Sequence, residues 1–477
     1  MIPLTLQDIA AVVGGRLAGG ADPDAVALGV CTDSRAVAAF DLFVAVVGEH
    51  HDAHHFAAQA VRAGAVAVMS DRELDVPCVV VDDTVAALGL LAHEVLRRLP
   101  DVVVVGVTGS SGKTSTKDLL AQVLPSYGRT LAPEGSFNTE VGLPMTALRL
   151  EPRTRVLVAE MGARGVGHVR YLCGITPPRI GVVLNVGSAH VGEFGSREAI
   201  AAAKGELVEA LPHAGNGGVA VINADDPLVL AMRTRTTARV VTSGESVHAD
   251  VRADGVELDG EGRASYDLCH FGRRARVHLG LHGRHHVSNS LAVAAVALSL
   301  GLDLDEVATS LTRARPASRW RMEVTRTATG ATVVNDAYNA NPESVRAALD
   351  ALVAMARPEA GRAARRTVAV LGEMRELGDA SVSEHEEIGR AAVRHGVERL
   401  VVVGTSDDAR ALAHGARAEA GSTGVATEVV EVDGADAAVA DLVATVRADD
   451  VVLVKASRGV ALERVVSGLL ERTGVAP

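Results

Sequence analysis

Aromatic side chains are scarce: one tryptophan, four tyrosines and six phenylalanines make up 2 % of 477 residues. That argues against a stacking platform for single-stranded nucleic acid and against aromatic belts at a bilayer. A basic excess is absent too. Lys plus Arg is 47 against 59 Asp plus Glu, a formal net charge of −12, which argues against a nucleic-acid or membrane-surface binder. Cys31, Cys78, Cys173 and Cys269 lie far apart with no CxxC pair. A disulfide framework or cysteine zinc site is not expected, and a reduced cytoplasmic setting fits. The longest apolar segment, 291–302, falls short of the ~20 residues that span a bilayer and reads as a buried helix. The N-terminal MIPLTLQDIA has no basic region leading into a long apolar stretch, so no signal peptide is read and no stable membrane insertion is expected.

Lysine is the sharpest shortage. Of the 47 basic residues only Lys113, Lys117, Lys204 and Lys455 are lysine; the rest are arginine. In such a chain a lysine marks a place to ask whether a primary amine is required. The count alone does not separate requirement from chance.

Length allows about three domains, at roughly 150 residues each. Apolar runs alternate with helical patterns, which predicts an α/β protein with mostly parallel sheets. The first segment, 1–100, holds short strands at 42–47, 65–69 and 78–81 and a helix ending before Pro100. The second, 101–316, holds strands at 102–107, 156–160, 180–186 and 219–223, then hairpins over 250–282 and the apolar helix. A linker is placed at TRARPASRW (312–320). The third, 317–477, repeats strand then helix from 367 onwards, resembling a dinucleotide-binding fold, but no GxGxxG follows its first strand. The arginine-rich GRAARRT (361–367) reads as a solvated connection.

The sharpest motif is GVTGSSGKTST, 106–116, between an apolar strand and a helical stretch. Glycines let backbone N–H groups close around phosphate oxygens, and the helix N-terminus adds partial positive charge. Gly109, Ser110, Ser111, Gly112, Lys113, Thr114 and Ser115 are the nucleotide-binding candidates. Lys113 reaches the terminal phosphates and the Thr114 hydroxyl suits Mg²⁺. Lys117 reads as a solvated helix residue, so Lys117→Arg is expected to change little. No Asn-Lys-x-Asp motif is present, which argues against a GTPase. The apolar run 156–159 ends in Glu160, an unusual acid for an AAA-type ATPase.

Several segments then converge: GSFNTEVGLP (135–144), AEMGARG (159–165), NVGSAHVGEFGS (185–196), AAAKGEL (201–207), NADDP (223–227), GRHHVSN (283–289), SRWRME (318–323), NDAYNANP (335–342), LGEMRELG (371–378) and VKASRG (454–459). In order and along the whole chain they resemble the Mur ligase family of peptidoglycan synthesis. NDAYNANP, EMG and LGEMRELG point to the branch that adds D-alanyl-D-alanine to UDP-N-acetylmuramoyl-tripeptide; the DNPR segment of a neighbouring branch is absent. A folylpolyglutamate synthetase shares the mechanism and P-loop. A nucleotide-regulated binding protein without ligase activity is the rival of another class.

The resemblance implies three domains: an N-terminal UDP-sugar domain, a central P-loop ATPase domain and a C-terminal Rossmann-like domain. It implies ATP and Mg²⁺, a cytoplasmic monomer and an acyl-phosphate mechanism. Lys113 and Thr114 then serve the phosphates and first metal, Glu160 binds metal, and His190 belongs to a second metal site. Lys204 corresponds to a lysine that is carbamylated in the family, which arginine cannot mimic. Asn289 falls on the adenine side. Arg321 and Asp336 contact phosphate and ribose from the domain hinge. Ser34 and Arg35 match segments that hold the UDP-sugar. Asn138, Tyr338 and Asn339 are substrate candidates, and Lys455, Ser457 and Arg458 are candidates for substrate carboxylates. The histidines of HHDAHHF, 50–56, and His385, among three glutamates, read as solvated.

Overall fold

The computed structural model describes residues 1–48, 51–187, 191–358 and 363–475. Three large sheets carry the chain, and a two-stranded pair, Leu4–Thr5 with Val26–Ala27, stands beside them.

The first sheet runs Arg16–Ala18, Cys78–Val80, Ala67–Ser70, Asp41–Val44, Gly29–Cys31, parallel except at its first pair. Helix Thr84–Arg97 follows it. The helix starts where the Asp83 carboxylate accepts the Val85 and Ala86 N–H groups, satisfying donors that a helix start leaves unpaired. Its apolar face packs against the helices Gly142–Ala147 and His168–Ile175, so the first unit shares a core with the second.

The second sheet has nine strands. Arg239–Gly244, Val219–Asn223, Ile180–Val183, Val103–Thr108, Val156–Glu160 and Thr130–Leu131 are parallel neighbours in that order. Val103–Thr108 is buried along its whole length, as expected of a central parallel strand covered on both faces. The antiparallel strands Val251–Leu258, Arg263–His270 and Arg273–His282 extend one edge. The apolar helix is His285–Ser299, buried against the P-loop helix Lys113–Val123.

The third sheet runs Glu323–Arg326, Thr332–Asn335, Val451–Lys455, Thr367–Leu371, Arg399–Val403, Glu428–Val432, parallel after its first, antiparallel pair. The sequence reading missed its first two strands, because they are four residues each and lie next to the linker. This is the three-domain α/β architecture that the sequence predicts.

Four expected solvated features are instead packed inside. Lys117 is buried, with Nζ 2.5 Å from Asp118 Oδ1 and donating to the Pro133 carbonyl at 3.0 Å. Of the histidine run, His54 is buried between Asp52 and Asp71, while His51 and His55 are exposed as expected and His50 lies outside the described residues. His385 is fully buried; its Nδ1 donates to the Ser381 carbonyl at 2.7 Å, and its Nε2 accepts the Met374 N–H at 2.8 Å. Arg365 is buried and donates to Thr332 Oγ1 at 2.8 Å, and Arg366 pairs with Asp450 at 2.6 Å. In each case at least one partner comes from outside the local segment, so the polar sequence neighbourhood misleads.

Candidate functional site

The P-loop follows the central strand directly. Gly112 opens helix Lys113–Val123 at φ +80°, and a Cβ there would sit 2.5 Å from Asn289 Oδ1. Glycine is therefore required both by backbone conformation and by close approach. Asn185 clamps the loop: its Oδ1 accepts the Ser111 N–H at 2.9 Å and its Nδ2 donates to the Ser111 carbonyl at 3.2 Å. The Ser110 hydroxyl accepts the Gly187 N–H at 2.9 Å. Ser115 also lines the site.

Lys113 Nζ donates to the Gly109 carbonyl at 2.7 Å. Burial lowers the Lys113 pKa, and the Glu160 carboxylate opposes that shift. The Thr114 hydroxyl lies 3.1 Å from Ser136 Oγ and 3.4 Å from Glu160 Oε1. Asn138 Nδ2 donates to the same Glu160 oxygen at 2.9 Å. Glu160 ends its strand fully buried, and its Oε2 has no hydrogen-bond partner among the described residues.

Lys204 comes in from helix Arg197–Glu209 and is buried. Burial pushes its pKa well below the usual lysine value, and the like charge of Lys113 pushes the same way. Among the described residues no carboxylate pairs with it. His190 lies outside the described residues. Among those described, no group of three or more His, Cys, Asp or Glu gathers into a metal site.

The C-terminal domain closes the other side. Arg321 donates to Ser136 Oγ at 3.2 Å and lies over the Tyr338 ring at 4.1 Å. Its neighbours Trp320 and Met322 have φ of +58° and +51°, the left-handed region that non-glycine residues avoid. The carboxylate of Asp336 accepts the Met322 N–H at 3.1 Å and the Lys455 ammonium at 2.6 Å. Lys455 also donates to the Asn339 carbonyl at 2.8 Å.

Together these groups enclose a cavity of about 690 Å³ bordered by both domains. It gathers the P-loop, Asn138, Glu160, Lys204, Asn289, Arg321, Asp336, Tyr338, Asn339 and Lys455. It does not gather Ser34, Arg35, Ser457 or Arg458. Arg35 pairs with Asp33 at 2.7 Å and is exposed on the first domain. The Ser457 hydroxyl accepts the Arg375 N–H at 2.8 Å, and Arg458 pairs with Glu463 and stacks over Trp320. The sequence reading did not single out Asn185, Ser136 or Arg375 as site residues. All three lie inside quoted segments, but only the fold brings them to the cavity.

Comparison with known proteins agrees along the chain. The Mur ligase middle domain matches residues 107–297, the Mur ligase glutamate ligase domain 320–458, and the Mur ligase family catalytic domain 28–98. The UDP-N-acetylmuramoyl-tripeptide–D-alanyl-D-alanine ligase of Mycobacterium tuberculosis (strain ATCC 25618 / H37Rv) is 47 % identical, covering 98 % of each chain. Its namesake in Escherichia coli (strain K12) is 34 % identical over 99 % of each. A crystal structure of MurF from Acinetobacter baumannii superposes with a TM-score of 0.87 at 30 % identity, covering 98 % of this chain and 99 % of that one. MurF of Thermotoga maritima in complex with ADP gives 0.79 at 30 % identity, covering 93 % and 97 %. The chain belongs to the Mur ligase family, in its MurF branch.

Proposed function

We propose that this chain joins D-alanyl-D-alanine to UDP-N-acetylmuramoyl-tripeptide, driven by ATP, through the residues gathered at the two-domain cavity. The observation that carries the reading is that one cavity collects a P-loop, a buried glutamate and a buried lysine from one domain and an arginine and an aspartate from the other. Residues 1–100 hold the UDP-sugar, 101–316 the nucleotide, and 317–477 the incoming dipeptide. The enzyme acts as a cytoplasmic monomer. In keeping with that setting, no described helix is long and apolar enough to cross a membrane.

A carboxylate is a poor electrophile, so the tripeptide carboxylate first takes the γ-phosphoryl group of ATP. The dipeptide amine attacks the acyl phosphate, and the tetrahedral intermediate expels phosphate. The protein's part is positioning and charge neutralisation. The loop N–H groups of 109–115 and the Lys113 ammonium hold the phosphates. Asn289 sits on the base side, and Asp336 faces the ribose. Arg321 reaches the phosphates from the C-terminal domain, so the site is complete only when that domain is closed. Closure also excludes water from a hydrolysable intermediate.

The donors present fit Mg²⁺, a hard cation that prefers oxygen. Glu160 keeps a buried carboxylate oxygen without a hydrogen bond, beside the Thr114 hydroxyl. These two would hold the ion, with His190 at a second position by family resemblance. When bound, the ion supplies charge neutralisation at the phosphates. Lys204 is buried beside another lysine, where a bare ammonium is disfavoured. A carbamate on its amine turns that cation into an anionic oxygen donor.

Phosphate release from ATP in the presence of UDP-muramoyl-tripeptide tests the reading. Release that requires D-alanyl-D-alanine supports it. Equal release with L-glutamate and a folate would refute it.

A further inference from the structure

The sequence placed the substrate-carboxylate role on Lys455, Ser457 and Arg458, but each is already engaged. Lys455 is neutralised by Asp336, Ser457 is hydrogen-bonded to backbone, and Arg458 points away to Glu463 and Trp320. One cation on the same wall is not engaged. Arg375 borders the cavity, is exposed, and among the described residues its guanidinium makes no ion pair or side-chain hydrogen bond.

Its root is rigid. The loop after strand Thr367–Leu371 is tied to the end of Val451–Lys455 and its following loop by three bonds, and to helix Ser381–Arg394 by a fourth. Gly372 N–H donates to the Lys455 carbonyl at 3.1 Å, and Ser457 N–H to the Glu373 carbonyl at 2.9 Å. Met374 N–H donates to His385 Nε2 and Arg375 N–H to Ser457 Oγ, both at 2.8 Å. The guanidinium lies against Gly459, where any Cβ would overlap its Nη1. Both loops leave the carboxyl ends of adjacent parallel strands, where α/β folds place ligands.

The layout separates the two substrates. The first domain packs on helices Gly142–Ala147 and His168–Ile175, so the UDP-linked peptide arrives along the wall that holds Asn138 and Tyr171. Arg375 stands on the opposite wall. Its neighbour Glu376 lines the same cavity as Lys113, so this loop reaches the phosphate end. A dipeptide spans at most about 7 Å from amine to carboxylate. With its amine at the acyl phosphate, its carboxylate falls within reach of a long arginine on that loop.

We propose that Arg375 receives the C-terminal carboxylate of the incoming dipeptide, through the two-pronged pairing that a guanidinium offers a carboxylate. The assignment rests on the functional reading above. Steady-state kinetics with D-alanyl-D-alanine and its C-terminal carboxamide test it. Arg375→Ala raises the KM for the dipeptide about tenfold or more, leaving the KM values for ATP and UDP-muramoyl-tripeptide within about twofold. The parent enzyme loses a similar factor on the carboxamide, and Arg375→Ala loses nothing further. Arg375→Lys recovers part of the loss. Gly459→Ala, which displaces the guanidinium but keeps its charge, raises the same KM. An Arg375→Ala enzyme that still favours the dipeptide over the carboxamide as strongly as the parent would overturn the assignment. So would a dipeptide KM that moves with Arg164→Ala, on the opposite wall, and not with Arg375→Ala. If the parent shows no dipeptide-dependent turnover, the functional reading falls and this assignment with it.

Discussion

Lys117 Nζ sits 2.5 Å from Asp118 Oδ1 and 3.0 Å from the Pro133 carbonyl, and its side chain is 4 % exposed. Asp118 Oδ2 in turn accepts the Ser318 N–H at 3.1 Å. Breaking a buried pair strands the remaining charge, so Lys117→Met is expected to destabilise by about 3 kcal/mol, read as a fall in Tm. Lys117→Arg is also expected to destabilise, because the broader guanidinium does not fit the same slot. A Tm for both variants equal to the parent's would contradict this. The sequence placed Lys117 four residues along the helix from Lys113, beside an aspartate, and that pattern looks solvated. Pro133, which accepts its hydrogen bond, and Ser318, which bonds its partner Asp118, lie outside that helix. His385 misleads in the same way: three glutamates surround it in sequence, while its partner Met374 lies on another loop. By contrast, the need for glycine at 112 was legible, because a P-loop is a local device of backbone and one lysine.

At the scale of elements, the P-loop helix Lys113–Val123 also holds the domain linker. Gln122 Nε2 donates to the Arg315 carbonyl, and its Oε1 accepts the Arg315 N–H, both at 2.9 Å. Three residues beyond Ser318 comes Arg321, which crosses to Ser136. The linker is thus anchored to the P-loop helix, and we propose that Arg321 is aimed at the phosphates from that anchor. Gln122→Ala removes two bonds that are largely replaced by water, costing about 1–2 kcal/mol in stability. Its expected effect on kcat is larger, about tenfold, because Arg321 loses its fixed approach. A kcat within twofold of the parent would show that the anchor does not aim the arginine. The alternation of strand and helix was legible from apolar runs, since parallel strands buried on both faces read as continuous stretches. The short strands Glu323–Arg326 and Thr332–Asn335 were not, because four half-polar residues carry no period.

At the scale of the whole molecule, closure brings backbones together. Gly192, on helix Val191–Phe194 of the central domain, lies so close to Gly378 that a Cβ at 192 would overlap the Gly378 backbone. Gly192→Ala is therefore expected to hold the C-terminal domain off, lowering kcat about tenfold or more while leaving ADP affinity nearly unchanged. Equal losses in both would place the defect in the nucleotide site instead. Domain order was legible from motifs spread along the chain. The cavity was not, because it exists only where two domains meet.

The shortage of lysine now has a physical reading. Among the four, Lys113 lies in the P-loop, Lys117 ties its helix to the Pro133 carbonyl, Lys455 neutralises Asp336, and Lys204 is buried without a carboxylate among the described residues. On the proposed mechanism only Lys204 calls for an amine that can be converted to an anionic oxygen donor. The most direct measurement is dipeptide-dependent phosphate release by Lys204→Arg, alongside ADP binding and Tm. The account predicts a fall on the order of 100-fold or more in kcat with ADP binding retained. Release close to the parent's would contradict it.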